Sequence, residues 1–144
     1  MGLDNGFYVK SDKRKITRNM LPEGIQYPFE REFEEKYNYP VELIYHRKDW
    51  GWRTDIMNNF GWRDSNLFDD NSHYLIETPA QVLELIELTA RWLDEERWLE
   101  EGNSIWDYCE TARRHLINDI MNLTLIYGFM QSNPDVYLEF YDSY

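Results

Sequence analysis

Apolar positions along this chain change period several times, and each change marks an element. Phe7-Tyr8-Val9-Lys10 is a short aromatic and β-branched run that predicts a strand. Residues 11–29, broken by Pro22, Gly24 and Pro28, read as loop. Glu30 to Tyr37 predicts a short acidic helix that stops before Pro40. Val41 to Tyr45 is too short for its period to decide between a strand and the first turn of a helix. Trp50 to Phe60 predicts a helix with Gly61 as its stop. Asp64 to Ser72 follows as a polar loop, and His73 to Glu77 as a second strand.

The clearest signals come next. Thr78 is a natural N-cap, Pro79 suits the first helical position, and Gln81 lies three residues on to close a capping box. The helix is predicted to run to about Glu101, with Gly102 as its stop. At 3.6 residues per turn, Val82, Leu85, Ile86, Thr89, Trp92 and Leu93 face the core. Ser104 caps a second long helix, predicted through about Tyr127 and ended by Gly128. Its core stripe is Ile105, Cys109, Ala112, Leu116, Ile120, Leu123 and Tyr127. Val136 to Tyr141 alternates as a terminal strand. The pattern predicts an α+β fold, with two long helices as a hairpin packed on a small, mostly antiparallel sheet. Residues 1–144 read as a single domain by length.

Composition changes this picture in one respect. The chain carries a formal charge of -12 together with 6 Trp, 11 Tyr and 7 Phe. A disordered acidic segment does not hold so many rings, so the acid lies on a folded surface. The charge is uneven: residues 1–18 are net +3, residues 19–76 net -5 and residues 77–144 net -10. Phosphate affinity comes from Lys and Arg, so this balance speaks against direct nucleic-acid binding. It favours a basic protein partner. A lone cysteine, Cys109, excludes an intramolecular disulfide and fits a reducing compartment. The sequence opens on no apolar signal region, and the longest apolar stretch, Leu123 to Met130, is far short of a membrane span. The expectation is a cytoplasmic protein with no membrane contact.

Two clusters carry candidate chemistry. Glu84, Glu87, Arg91, Asp94 and Trp98 fall on the solvent side of the first long helix. Glu87 and Arg91 form an ordinary i,i+4 surface pair. A Trp among carboxylates is equally a good anchor for a basic partner, by burial and by cation–π attraction. On the second long helix, His115 and Asp119 are four apart, a spacing that presents two ligands to a metal or forms a half-buried hydrogen-bonded pair. His46 extends this to a candidate zinc set, joining with Glu42 if its segment is helical, or His73 does so with Asp69 and Asp70 from the loop. No catalytic motif is present, and no residue is assigned a catalytic role. Asp64 to Asp70 fails as a calcium loop, because Phe68 takes a ligand slot and Asp69 the turn glycine's place.

Met1-Gly2-Leu3-Asp4 followed by Phe7-Tyr8-Val9-Lys10, and the segment Tyr45-His46-Arg47-Lys48, resemble a family of small phage and prophage proteins. That family opens the same way and carries a Tyr-x-Arg-Lys segment leading into a helix. The family's Trp after Tyr is His46 here, and its helical histidine falls near Arg53. The resemblance implies a phage setting in a host cytoplasm. In size and charge the chain is similar to type II anti-CRISPR proteins, which implies an inhibitor whose basic partner is a CRISPR effector nuclease. Asp4, Tyr45, Arg47 and Lys48 are the motif residues, either functional or joined by a salt bridge from Asp4 to Arg47 or Lys48. A self-associating structural or regulatory phage protein is the other reading, and the oligomeric state is open.

Overall fold

A computed structural model describes residues 4–47, 50–62, 74–96 and 109–143. The elements in order are β1 (Asp4–Ser11), a 3-10 turn (Arg18–Met20), α1 (Glu32–Tyr37), β2 (Val41–Arg47), α2 (Trp50–Phe60), β3 (Tyr74–Ile76), α3 (Pro79–Asp94), α4 (Cys109–Ser132) and β4 (Val136–Ser143). The fold is α+β: four strands in the order β2-β1-β4-β3, every neighbouring pair antiparallel, with the two long helices packed together.

Strand alternation divides the sheet into two faces. Phe7 and Val9 of β1, Ile44 and His46 of β2, and Leu138 and Phe140 of β4 point inward and are buried. They meet Trp52 and Ile56 of α2, Leu85 of α3 and Leu123 of α4 in one core. Tyr8, Glu42, Tyr45 and Tyr141 lie on the opposite face. A bulge makes this arrangement possible. Phe7 pairs with Ile44 but Tyr8 pairs with Glu42, so Leu43 is an extra residue in β2. Leu43 and Ile44 can then both be buried, and Glu42 and Tyr45 share the outer face although they are three apart.

The long loop after β1 is less loose than its glycine and prolines predict. Ile16, Leu21 and Ile25 enter the core. Asn122, buried on α4, donates to the Gln26 and Leu43 carbonyls at 2.9 and 3.1 Å and accepts from the Gln26 N–H at 2.8 Å. All these backbone groups are satisfied by one amide, which fixes the loop against β2 and α4.

The capping box at Thr78 and Gln81 forms as predicted. Gly61 ends α2 with φ +68, and its neighbour Trp62 donates to the Met57 carbonyl in a Schellman turn. Val41 to Arg47 is a strand. Two predicted helix ends are wrong. The first long helix stops at Asp94, not Glu101: Glu95 caps it and Glu96 takes a left-handed φ of 53. Asp94, Glu95 and Glu96 place three carboxylates at the negative end of the helix dipole, where continuation is disfavoured. The second runs through Gly128 to Ser132. Its buried stripe is Leu116, Asp119, Leu123, Ile126 and Met130. Ile120 and Tyr127, predicted for that stripe, are only half-buried. Burying Met130 outweighs the roughly 1 kcal/mol that a mid-helix glycine costs. The helix ends where Pro134 restricts Asn133, and Asn133 Nδ2 donates to the Phe129 carbonyl. The predicted polar loop, Ser104, Ile105 and the side chains of Cys109 and Ala112 lie outside the described residues.

Gly6 sits between Tyr45 and Tyr141 on the neighbouring strands. A Cβ there would overlap the Ile44 carbonyl oxygen and press on Glu42 Oε1 at 3.1 Å. Gly6→Ala is therefore expected to destabilise the protein by about 3 kcal/mol, the upper part of the range for overpacking. Urea unfolding checks this; a loss under ~1 kcal/mol would show that β1 and β2 separate easily.

Candidate functional site

The outer face of the sheet is built into a pocket by the segment that includes α1. Phe29, Phe33 and Tyr37 are spaced i,i+4, and with Tyr39 they form a continuous row of rings at 5.8, 6.2 and 5.6 Å between centroids. α1 buries no residue in the core, and these four rings are 37% to 55% exposed. Arg18 holds the segment in place. Its guanidinium pairs with Glu34, donates to the Phe29 carbonyl at 2.6 Å, and lies 4.2 Å above the Tyr27 ring. Phe29 then meets Tyr45 of β2 edge-on at 4.9 Å.

The resulting pocket has a volume of about 340 Å³. Its rings are Phe29, Phe33 and Tyr39 from one side and Tyr8, Tyr45 and Tyr141 from the sheet. Its carboxylates are Asp4, Glu34 and Glu42. Tyr8 stacks on Tyr141 at 4.6 Å. The Tyr141 hydroxyl donates to Glu42 Oε1, and the Tyr45 hydroxyl donates to Asp4 Oδ1 at 2.8 Å. The hydroxyls of Tyr8 and Tyr45 are pushed up to about 12, first by burial and then by neighbouring carboxylates, so both remain protonated donors. Burial pushes the Glu42 carboxyl up to about 7; the Asp4 charge adds to this and the Tyr141 hydrogen bond opposes it. The pocket thus holds a carboxyl that is half-protonated near neutrality.

Among the described residues Asp4 makes no ion pair with Arg47, although the two are register partners across the strands. The Asp4 carboxylate accepts instead from the Tyr45 hydroxyl. Lys48 lies outside the described residues.

The three metal candidates converge on the inner face. His46 Nε2 donates to Asp119 Oδ2 at 2.6 Å, and both groups are buried. The His46 ring stacks on Trp52 at 3.7 Å and 7°. His115, one turn before Asp119, donates from Nε2 to the Tyr45 carbonyl at 2.8 Å and lies 4.6 Å from the His46 ring. Glu42 is not part of this cluster: β2 is a strand, and its bulge turns Glu42 to the other face.

Glu84, Glu87 and Asp94 are exposed on α3 as predicted, beside the exposed Arg91, while Trp98 lies outside the described residues. The ring row from Phe29 through α1 to Tyr39 is a site the sequence reading lacks, although the i,i+4 spacing of Phe29, Phe33 and Tyr37 is visible in the sequence. No family model matches this chain, and no curated protein or solved structure matches it.

Burial of the Glu42 carboxyl ties stability to pH. Its folded-state carboxyl holds a proton to higher pH than the unfolded one, so stability is lost as pH rises from about 4.5 through about 7. Glu42→Gln keeps an acceptor for Tyr141 and removes the charge. It is expected to raise Tm at pH 8.5 by a few degrees, on a scale of roughly 2–4 °C per kcal/mol, and to leave it nearly unchanged at pH 4.5. Thermal melts at the two pH values decide, and an equal difference at both would show that Glu42 is solvated.

Proposed function

We propose that this protein is a non-enzymatic binding module that captures a positively charged segment of another protein on the outer face of its sheet. The observation that carries this reading is the row of exposed rings leading into a pocket with three carboxylates. Single exposed rings are ordinary, but a continuous aromatic patch is an interaction surface. The chemistry selects a Lys or Arg side chain. Ring faces attract a cation, most strongly where water is excluded, and Glu42 ionises as the cation enters. The net charge of -12 steers a basic partner toward any part of the surface.

Glu84, Glu87 and Asp94 belong to this general field. They act on the rate of encounter more than on the contact itself. The finer reading, a phage inhibitor of a CRISPR effector nuclease acting in the host cytoplasm, rests on the resemblance at residues 1–10 and 45–48. A host protein recovered with the wild-type chain and lost with the pocket variant below would be the material on which to test it.

An arginine-rich peptide is the probe for the pocket, measured by calorimetry. Phe33→Ala combined with Tyr39→Ala is expected to weaken binding at least tenfold, which is about 1.4 kcal/mol. Affinity is expected to rise as pH climbs through about 7, because Glu42, faced by Asp4, Glu34, Tyr8 and Tyr141, must release its proton. Lysine substitution at Glu84, Glu87 and Asp94 together is expected mainly to slow association. If the α3 charge reversal abolishes binding and the double ring deletion does not, the contact lies on α3 and the pocket reading is wrong.

A further inference from the structure

We propose that His46, His115 and Asp119 form a binding site for one divalent transition-metal ion of the zinc class, a property separate from the outer pocket. One ring nitrogen of each histidine and one carboxylate oxygen of Asp119 lie within 4.8 Å of one another. They come from β2 and from successive turns of α4, two elements fixed against each other by the core and by Asn122. Two nitrogens and one carboxylate oxygen form a donor set suited to zinc and its neighbours.

The surroundings of the His115 ring are those of a ligand histidine. A backbone carbonyl can only accept, so the contact from His115 Nε2 to the Tyr45 carbonyl places the proton on Nε2. In the neutral ring the lone pair is then on Nδ1. Histidines that hold metals are oriented in this way, by a second nitrogen that donates to a carbonyl or carboxylate. His46 is held flat against Trp52, which fixes the ring plane before any ion arrives. Asp119 places a buried carboxylate on α4 within 2.6 Å of His46 Nε2, so the oxygen ligand already faces the first ring.

His46 and Asp119 are sealed inside, but His115 is only half-buried, which puts the way in on its side. Binding the ion replaces the proton now held between His46 Nε2 and Asp119 Oδ2, and that proton is released to solvent. The two atoms must part from 2.6 Å to about 3.3 Å, the spacing of two ligands on a tetrahedral ion with bonds near 2.0–2.1 Å. Three protein ligands leave one coordination position for water.

The test uses the full chain without a histidine tag, stripped with a chelator and then titrated with cobalt(II) and with zinc against a chromophoric competitor. One equivalent of cobalt is expected to give the intense visible bands of a four-coordinate ion, and zinc to displace it. Asp119→Asn, which keeps size and hydrogen bonding, and His115→Ala, at the half-buried position, are each expected to weaken zinc about 100-fold. Circular dichroism establishes that each variant is folded; should one fail to fold, the other carries the comparison. Absence of a one-equivalent cobalt spectrum in the wild-type chain would overturn the site. So would zinc affinity unchanged in both variants, which would place the ion on other residues. Peptide binding by the outer pocket is read separately, so either proposal can fail alone.

Discussion

Asp119 occupies a position on α4 that apolar side chains hold on either side of it, from Leu116 to Leu123, Ile126 and Met130. A carboxylate in that seat is tolerated only with a partner, because an uncompensated buried charge costs several kcal/mol. His46 is that partner, on a strand that the chain reaches 73 residues earlier. The pair therefore selects one register of β2 against α4. A slip of one residue along β2 would turn His46 to the outer face and leave Asp119 alone in the core. Asn122, three residues on, makes the same demand through the Leu43 carbonyl. Together they define where β2 lies more strictly than apolar packing does, since Leu43 and Ile44 would fill either position comparably.

The outer face inherits this constraint. With His46 inward, Tyr45 must point outward, and the bulge at Leu43 brings Glu42 out beside it. The pocket floor is thus a consequence of the inner polar pair and of one extra residue in a strand. Charge distribution follows a similar logic. Three cations of the basic segment near β1 are matched within the molecule: Lys10 to Glu139, Arg14 to Asp135 with two hydrogen bonds, and Arg18 to Glu34. Hydrogen bonds from Ser11 and Arg14 hold the Asp135 carboxyl below the usual carboxylate range. With these cations engaged within the molecule, Glu84, Glu87 and Asp94 keep exposed carboxylates on α3.

What the sequence reveals follows the range of the interaction. The capping box at Thr78, the Gly61 stop and the strand at Phe7 depend on neighbours within a few residues, and all three are as the pattern predicts. The i,i+4 pair of His115 and Asp119 is legible for the same reason. The end of the first long helix is harder, because Gly102 is a strong stop signal while the weaker effect of three carboxylates at Asp94 to Glu96 acts first. The path of α4 past Gly128 depends on the core that receives Met130, which no local window contains. His46 is the instructive case. Its segment is too short for periodicity to separate helix from strand, and the two outcomes give it different partners: Glu42 one turn away, or Asp119 across the core. Only the sheet, assembled from both ends of the described chain, decides between them.

Tyr45 belongs to both clusters. Its carbonyl accepts from His115 on the inner side, while its ring and hydroxyl face Phe29 and Asp4 on the outer side. Sharing a residue is not itself coupling; a ligand shifts an equilibrium only through a difference in its free energy with the two states. Here the physical route for such a difference is short. Entry of the metal proposed above would part His46 from Asp119, and because His115 bonds the Tyr45 carbonyl, that change would bear on β2 at Tyr45 and His46. The outer ring of that residue packs on Phe29, which is itself held through its carbonyl by Arg18. Movement of the strand would be resisted on the outer side by this aromatic contact, and the two faces bear on the same backbone at Tyr45 and His46.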